Sequence, residues 1–222
     1  KYIIKKGLFV FPAGPALASI ERSRHYYDSI LKADLVFFDS GFFVLLLKIF
    51  KNVKVCKFSG YKFLNLFFHF LKKNKKKSIF FIDPNLKFSK SNTSFLKNLG
   101  LKKIYSHIAP KYKIENLQDA KLLKKLKKVK PDYIITNIGG GTQEILGLYL
   151  KRNLKYKTTI LCTGAAISFF TKDQAPINDL IDKLYLGWFV RIIFDPFSFP
   201  RRLIYALKLI KIVKNSNCKI IK

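Results

Sequence analysis

The chain has 222 residues, 49% hydrophobic and 25% charged, which is enough for one sizeable core and too apolar for a disordered segment. Its 43 Lys and Arg against 13 Asp and Glu give a net charge of +30, which implies polyanionic surroundings: nucleic acid, anionic lipid or phosphate-rich substrates. The excess is mostly lysine spread along the chain beside abundant Ile, Phe and Asn, and a background preference for these residues accounts for it equally well.

Strand-like and helix-like segments alternate along the chain. Gly7–Phe11 is a short apolar strand ending in a Pro/Gly turn, Pro12–Pro15. Ala16–Lys32 reads as a helix, Ala33–Asp39 as a buried strand and Gly41–Phe50 as a strongly apolar helix. A second apolar helix, Tyr61–Lys73, opens at Ser59–Gly60. Ser78–Ile82 is a strand ending at Asp83–Pro84. Asn92–Gly100 is a helix with glycine at its C-terminal end. Lys103–Ile108 is a strand and Leu117–Lys130 a lysine-rich helix. Strand Tyr133–Ile138, a helix after Gly141, strand Thr158–Cys162 and a helical C-terminal third complete the series. This alternation predicts an α/β fold: a Rossmann-like, mainly parallel sheet flanked by helices. The expected division is residues 1–180 for the α/β domain and 181–222 for a basic C-terminal helical appendage. The charge run Lys72–Lys77 reads as a solvated helix end.

The segment Pro131–Glu144, PDYIITNIGGGTQE, carries the most functional information. A buried strand that runs into Gly139, Gly140 and Gly141 lets backbone N–H groups approach a ligand, and the carboxyl ends of strands are where open α/β sheets bind ligands. Gln143 and Glu144 place polar groups at the edge of that crevice. A plain tight strand-to-helix turn is the alternative. In ADLVFFDSG, Ala33–Gly41, Asp39 ends a strand beside a glycine, which suits a general base; Asp or Ser there also suits an N-cap for the helix that follows. Asp34 reads as an outward-facing or turn residue. The tail beginning at Asp195, DPFSFPRRL, holds Arg201 and Arg202, which with Arg191 and Lys183 could clamp a diphosphate, since guanidinium groups bind phosphate oxygens bidentately. Surface arginines anchoring a helix are the alternative. The helix Leu203–Val213 could lie on an anionic bilayer or pack on the protein.

Other chemistries lack their signatures. Cys56, Cys162 and Cys218 are far apart, which argues for a reducing compartment and against a disulfide framework. His25, His69 and His107 do not stand at ligand spacing from Cys or Glu, which argues against a zinc site. Walker A, GxGxxG, HExxH and GxSxG motifs are missing. No stretch reaches the roughly 18 apolar residues of a membrane span, and no signal peptide follows Lys5 and Lys6. A chain that begins at Lys1 and contains no methionine implies that the start of the reading frame is missing or processed. The phenylalanines fall in apolar runs and read as core rather than base-stacking platforms.

The order of these segments resembles a known family. ADLVFFDSGF resembles the ADLV-P-DG-G block of the WecG/TagA/CpsF bacterial glycosyltransferases, PDYIITNIGGGTQE its PD-L-VGLG-PKQE block, TILCTGAAISFF its GVGGAFDF block, and QAPINDLIDKLYLGWFVRIIFDPFSFPRRLIYA its arginine-bearing tail. The resemblance implies an inverting, metal-independent hexosyltransferase that needs no cofactor. It implies transfer of N-acetylmannosamine or its uronic acid from a UDP-sugar to an undecaprenyl-diphosphate-linked acceptor in cell-surface polysaccharide synthesis. The enzyme would work in the cytoplasm, peripheral to the anionic inner membrane face, without specific nucleic acid and with a homo-oligomer allowed. Asp39 then matches the general base; Gln143 and Glu144, with the glycine turn, match the donor pocket; Arg191, Arg201 and Arg202 match the diphosphate-binding tail. The chain departs from the pattern at Pro12–Gly14, where the family has Thr-x-Asn; at Lys57 and Lys62, for an arginine and an aspartate; at Gln174, for an arginine; at the run beginning with Asn137; and at the aspartate of the third block. The other reading is a diverged noncatalytic membrane-surface or nucleic-acid-binding protein on the same fold.

Overall fold

The computed structural model of the chain describes residues 6–173, 193 and 198–217. β1 (Gly7–Val10) is followed by a one-turn helix α1 (Gly14–Leu17), a short 3-10 turn (Ile20–Arg22), α2 (Arg24–Leu31) and β2 (Leu35–Val36). Next come α3 (Gly41–Lys51), α4 (Gly60–Lys73), β3 (Ile79–Asp83), α5 (Leu86–Asn98) and β4 (Ile104–Ile108). α6 (Ala120–Val129), β5 (Tyr133–Thr136), α7 (Thr142–Asn153), β6 (Thr159–Cys162) and α8 (Ser168–Thr171) complete the core, and α9 (Ser198–Ala206) and α10 (Lys208–Asn215) follow.

The six strands form one sheet in the order β2-β1-β6-β5-β3-β4, every pairing parallel. The four central strands are near-continuous apolar runs because both faces of a parallel sheet are covered. Leu8, Val10, Phe80, Ile82, Ile134, Ile160 and Cys162 point to one face, where Tyr26 of α2, Leu122 and Leu126 of α6, and Leu146 and Leu150 of α7 pack on them. Phe9, Phe11, Phe81, Ile135 and Leu161 point to the other, against Phe63, Phe67 and Phe68 of α4 and Leu96 of α5. Phenylalanines build much of this second core: Phe11 and Phe37 stack with centroids 4.6 Å apart, and Phe9 meets Phe63 edge-on at 6.3 Å.

Several boundaries differ from the sequence reading, each for a local reason. The expected helix Ala16–Lys32 is the end of α1, a 3-10 turn and α2; Ser23 takes extended backbone and caps α2, its hydroxyl accepting from the Tyr26 amide. The expected strand Ala33–Asp39 shrinks to Leu35–Val36 at the sheet edge, where Val36 is exposed and not buried. Asp34, expected to face outward or to stand in a turn, is exposed in the bend before β2, where it accepts a 2.7 Å bond from the Leu8 amide and pairs with Lys151 at 2.8 Å. α5 starts well before Asn92 because Asn85 caps it, its Oδ1 accepting from the Phe88 amide. The apolar tail helix is two helices, α9 and α10, with Leu209 and Val213 packed against Leu46 and Leu47 of α3.

Candidate functional site

The chain after β5 turns to one face of the sheet, because Ile145, Leu146 and Leu150 of α7 join the first core, while the chain after β6 turns to the other, because Ala166 and Ile167 join the second. Neighbouring strands whose continuations part in this way open a crevice at their carboxyl ends. The glycine turn 139–141 stands on that rim.

Gly141 begins α7 at φ +90°, a conformation that side-chain-bearing residues rarely adopt. Having no side chain, it cannot cap the helix itself; Glu144 reaches back instead, its Oε2 accepting from the Gly141 amide at 2.6 Å. At Gly139 and Gly141 a Cβ would meet nothing within 4 Å, so the turn faces open space, whereas at Gly140 it would come 3.2 Å from Ala16 Cβ.

Gln143 and Glu144, expected at the edge of the crevice, are buried. The Gln143 amide ties three segments together. Its Nε2 donates to Glu144 Oε1 at 3.0 Å and to the Cys162 carbonyl at 3.2 Å. Its Oε1 accepts from the Gly164 amide at 2.8 Å and the Thr136 hydroxyl at 3.4 Å. Burial pushes the Glu144 carboxyl up to about 7; the Gln143, backbone and Gly141 hydrogen bonds oppose that rise, and the negative charge of Asp39 adds to it. Glu144 therefore exchanges its proton at a higher pH than an ordinary glutamate, inside the wall of the site.

Asp39 is brought to the same wall from another part of the chain. Its Oδ1 accepts a 2.7 Å bond from the amide of Gly60, the first residue of α4. A Cβ on Gly60 would lie 3.4 Å from Ala166 Cβ and 3.5 Å from the Thr163 carbonyl, so the start of α4 presses on the turn that follows β6. Hydrogen bonds thus join Asp39 to Gly60 at the start of α4, and Gly164 through Gln143 to Glu144, with Gly60 facing the Thr163–Ala166 turn between them. The N-cap role open to Asp39 falls to Ser40, whose hydroxyl accepts from the Phe43 amide at 3.2 Å. A carboxylate at the positive end of a 14-residue helix keeps its negative charge favourably placed. The Pro12–Gly14 turn closes over this point: a Cβ on Gly14 would come 3.0 Å from the Ser40 hydroxyl.

A further buried polar group was not singled out from the sequence. Asp83 ends β3 and accepts 2.7 Å bonds on Oδ1 from both Asn92 and Asn137, while its Oδ2 and the carbonyl oxygens of both amides find no partner among the described residues. Burial raises the Asp83 carboxyl above its usual range against hydrogen bonds from Asn137, Asn92 and Ser89. The cluster fastens Asn137, which leads into the glycine turn, to the neighbouring strand. Its signal in the sequence was the one that marked Asp39, an aspartate closing an apolar strand.

In the tail, Arg201 is exposed on α9. Arg191, Lys183 and the Arg202 side chain lie outside the described residues, as does Gln174. Among the described residues, no three His, Cys, Asp or Glu side chains gather in a way that could hold a metal ion, and no helix is long and apolar enough to cross a membrane. Two shallow cavities, one lined by the lysines of 72–77 and one by Lys6, Asp34, Lys151 and Tyr156, lie at the opposite, amino-terminal edge of the sheet.

An all-parallel Rossmann-like sheet, with a carboxylate and an open glycine turn on its carboxyl rim, has the layout in which open α/β sheets hold their ligands. The family model of the glycosyl transferase WecG/TagA/CpsF family matches residues 3–218, nearly the whole chain. The chain belongs to that family and is a glycosyltransferase enzyme. No curated protein matches the chain significantly.

Proposed function

We propose that this glycosyltransferase moves an N-acetylhexosamine-type sugar, N-acetylmannosamine or its uronic acid, from a UDP donor to an undecaprenyl-diphosphate-linked acceptor at the inner membrane face, in cell-surface polysaccharide synthesis. The observation that supports it best is the pair of hydrogen bonds, Gly60 to Asp39 and Gly164 to Gln143, on either side of the turn after β6, with the open glycine turn beside them.

In this reading Asp39 takes the proton from the acceptor hydroxyl as that oxygen bonds to the anomeric carbon. The bond from that carbon to the diphosphate breaks on the opposite side, so configuration inverts and UDP leaves with the bonding pair. Backbone N–H groups of the glycine turn face the donor, and the tail arginines meet the diphosphate charge. Gln143 and Glu144 act from within the wall: they hold the turn, the end of β6 and Gly164 in register. The experiment is a screen of UDP-sugars with a short-chain prenyl-diphosphate-sugar acceptor, reading UDP release. Release with a UDP-N-acetylhexosamine that depends on the acceptor supports the reading; release with none of the donors overturns it.

A further inference from the structure

Helix α10 spends its apolar side on the protein. Leu209 and Val213 enter the small core formed with Leu46 and Leu47 of α3, leaving Lys208, Lys211 and Lys214 exposed. α3 presents the reverse. Val44, Leu46 and Leu47 face inward, while the outer stripe at i, i+3 and i+4 is Leu45, Lys48 and Ile49, with Leu45 49% and Ile49 62% exposed. Ile204 and Leu207, where α9 meets α10, are exposed as well. The rim of this lobe is cationic. Lys214 stands 4.8 Å over the Phe50 ring, and the Lys51 ammonium donates to the Lys214 carbonyl at 2.8 Å. The sequence has no Asp or Glu between residues 40 and 82 or from 198 to 222.

We propose that the outer face of α3, with the basic rim supplied by α10, is the surface on which the protein rests on an anionic lipid bilayer. Exposed Leu and Ile between lysines match an interface whose headgroups are negative and whose interior is apolar. A second copy would bring the same cations against these, and like charges repel. Nucleic acid would satisfy the lysines and leave the aliphatic stripe in water. Ser40 caps α3 and Asp39 directly precedes it, so a docked α3 holds the crevice beside the headgroups. The inference deepens the lipid-linked acceptor reading by naming the surface that meets the membrane, and it moves the apolar contact from the tail helix to α3.

The test is co-sedimentation with phosphatidylcholine vesicles, with and without phosphatidylglycerol. Wild type should bind the anionic vesicles and release at high salt. Leu45→Ser/Ile49→Ser should lose at least about tenfold in vesicle affinity while keeping its fold by circular dichroism, because both residues lie on the surface. Leu66→Ser, an equally exposed leucine on α4, should bind as wild type does. Wild-type affinity in the double variant, equal loss in Leu66→Ser, or no preference for anionic lipid overturns the proposal. Sedimentation requires no turnover, so the two readings can fail separately. If UDP release from a dispersed short-chain acceptor is absent while the vesicle pattern holds, the transfer reading falls and the docking surface stands.

Discussion

Asp39 and Gly60 are 21 residues apart, and the 2.7 Å bond from the Gly60 amide to the Asp39 carboxylate joins the edge of the sheet to the start of α4. The bond holds the carboxylate at the positive end of that helix, and the space beside Gly60 is bounded by Ala166, the Thr163 carbonyl and Asp39 itself, 3.4, 3.5 and 3.8 Å from where a Cβ would stand. Gly60→Val should therefore displace α4 or Asp39. Turnover should fall by at least about tenfold with a measurable loss of stability, since overpacking costs about 1–3 kcal/mol. Thermal melts read beside UDP release check this; a variant unchanged in both would mean that the contact positions nothing.

The glycine turn separates binding from folding. Gly139 has an ordinary backbone and open space where its Cβ would stand, so Gly139→Leu should fold normally and lose donor affinity by blocking the crevice. Gly140→Leu should also destabilise, because Ala16 is already in the way, and Gly141→Leu should do so because of its positive φ. UDP binding by calorimetry, with melts of each variant, tests the ordering. Unchanged affinity in Gly139→Leu would place the donor elsewhere.

Gln143→Ala should cost on the order of 2–4 kcal/mol, because it leaves the part-buried amide of Gly164, the buried Cys162 carbonyl and Glu144 Oε1 without the bonds that Gln143 makes. Denaturant unfolding gives the value. A cost below about 0.5 kcal/mol would mean that Gln143 serves the ligand and not the wall.

Glu144 should make stability depend on pH. Its carboxyl is raised to about 7 from an ordinary 4.5, so the folded state binds the proton more tightly than the unfolded chain does. That contribution is fully present below about pH 4.5 and is lost as pH rises through 7, a swing on the order of 3 kcal/mol. Glu144→Gln keeps an acceptor for the Gly141 amide and cannot ionise. The difference in unfolding free energy between wild type and variant should therefore drift in favour of the variant between pH 4.5 and 7. A difference that stays constant across that window would show that Glu144 ionises as an ordinary glutamate.

Much of the fold was legible because central parallel strands are continuous apolar runs, as in IFFI and YIIT, and the glycines, serines and prolines between them mark the turns. Ala33–Asp39 misled because an aromatic run reads as strand even where Phe37 and Phe38 pack beyond the sheet's edge. At the site, Asp39 and the glycine turn stood out as strand ends. The burial of Gln143 and Glu144 did not, since two polar residues after three glycines read as surface, and only the long-range contacts to Cys162 and Gly164 bury them. The clamp of Asp83 on Asn92 and Asn137 was hidden for the same reason: its members are 9 and 54 residues from Asp83.

The most direct measurement is turnover and UDP affinity of Asp39→Asn beside wild type, using the donor and acceptor that the screen identifies. The substitution keeps an oxygen for the Gly60 amide and removes the base. Turnover should fall by roughly a hundred- to ten-thousand-fold while UDP binds with near wild-type affinity. Near-normal turnover in Asp39→Asn would contradict the assignment of Asp39 as the group that takes the acceptor's proton.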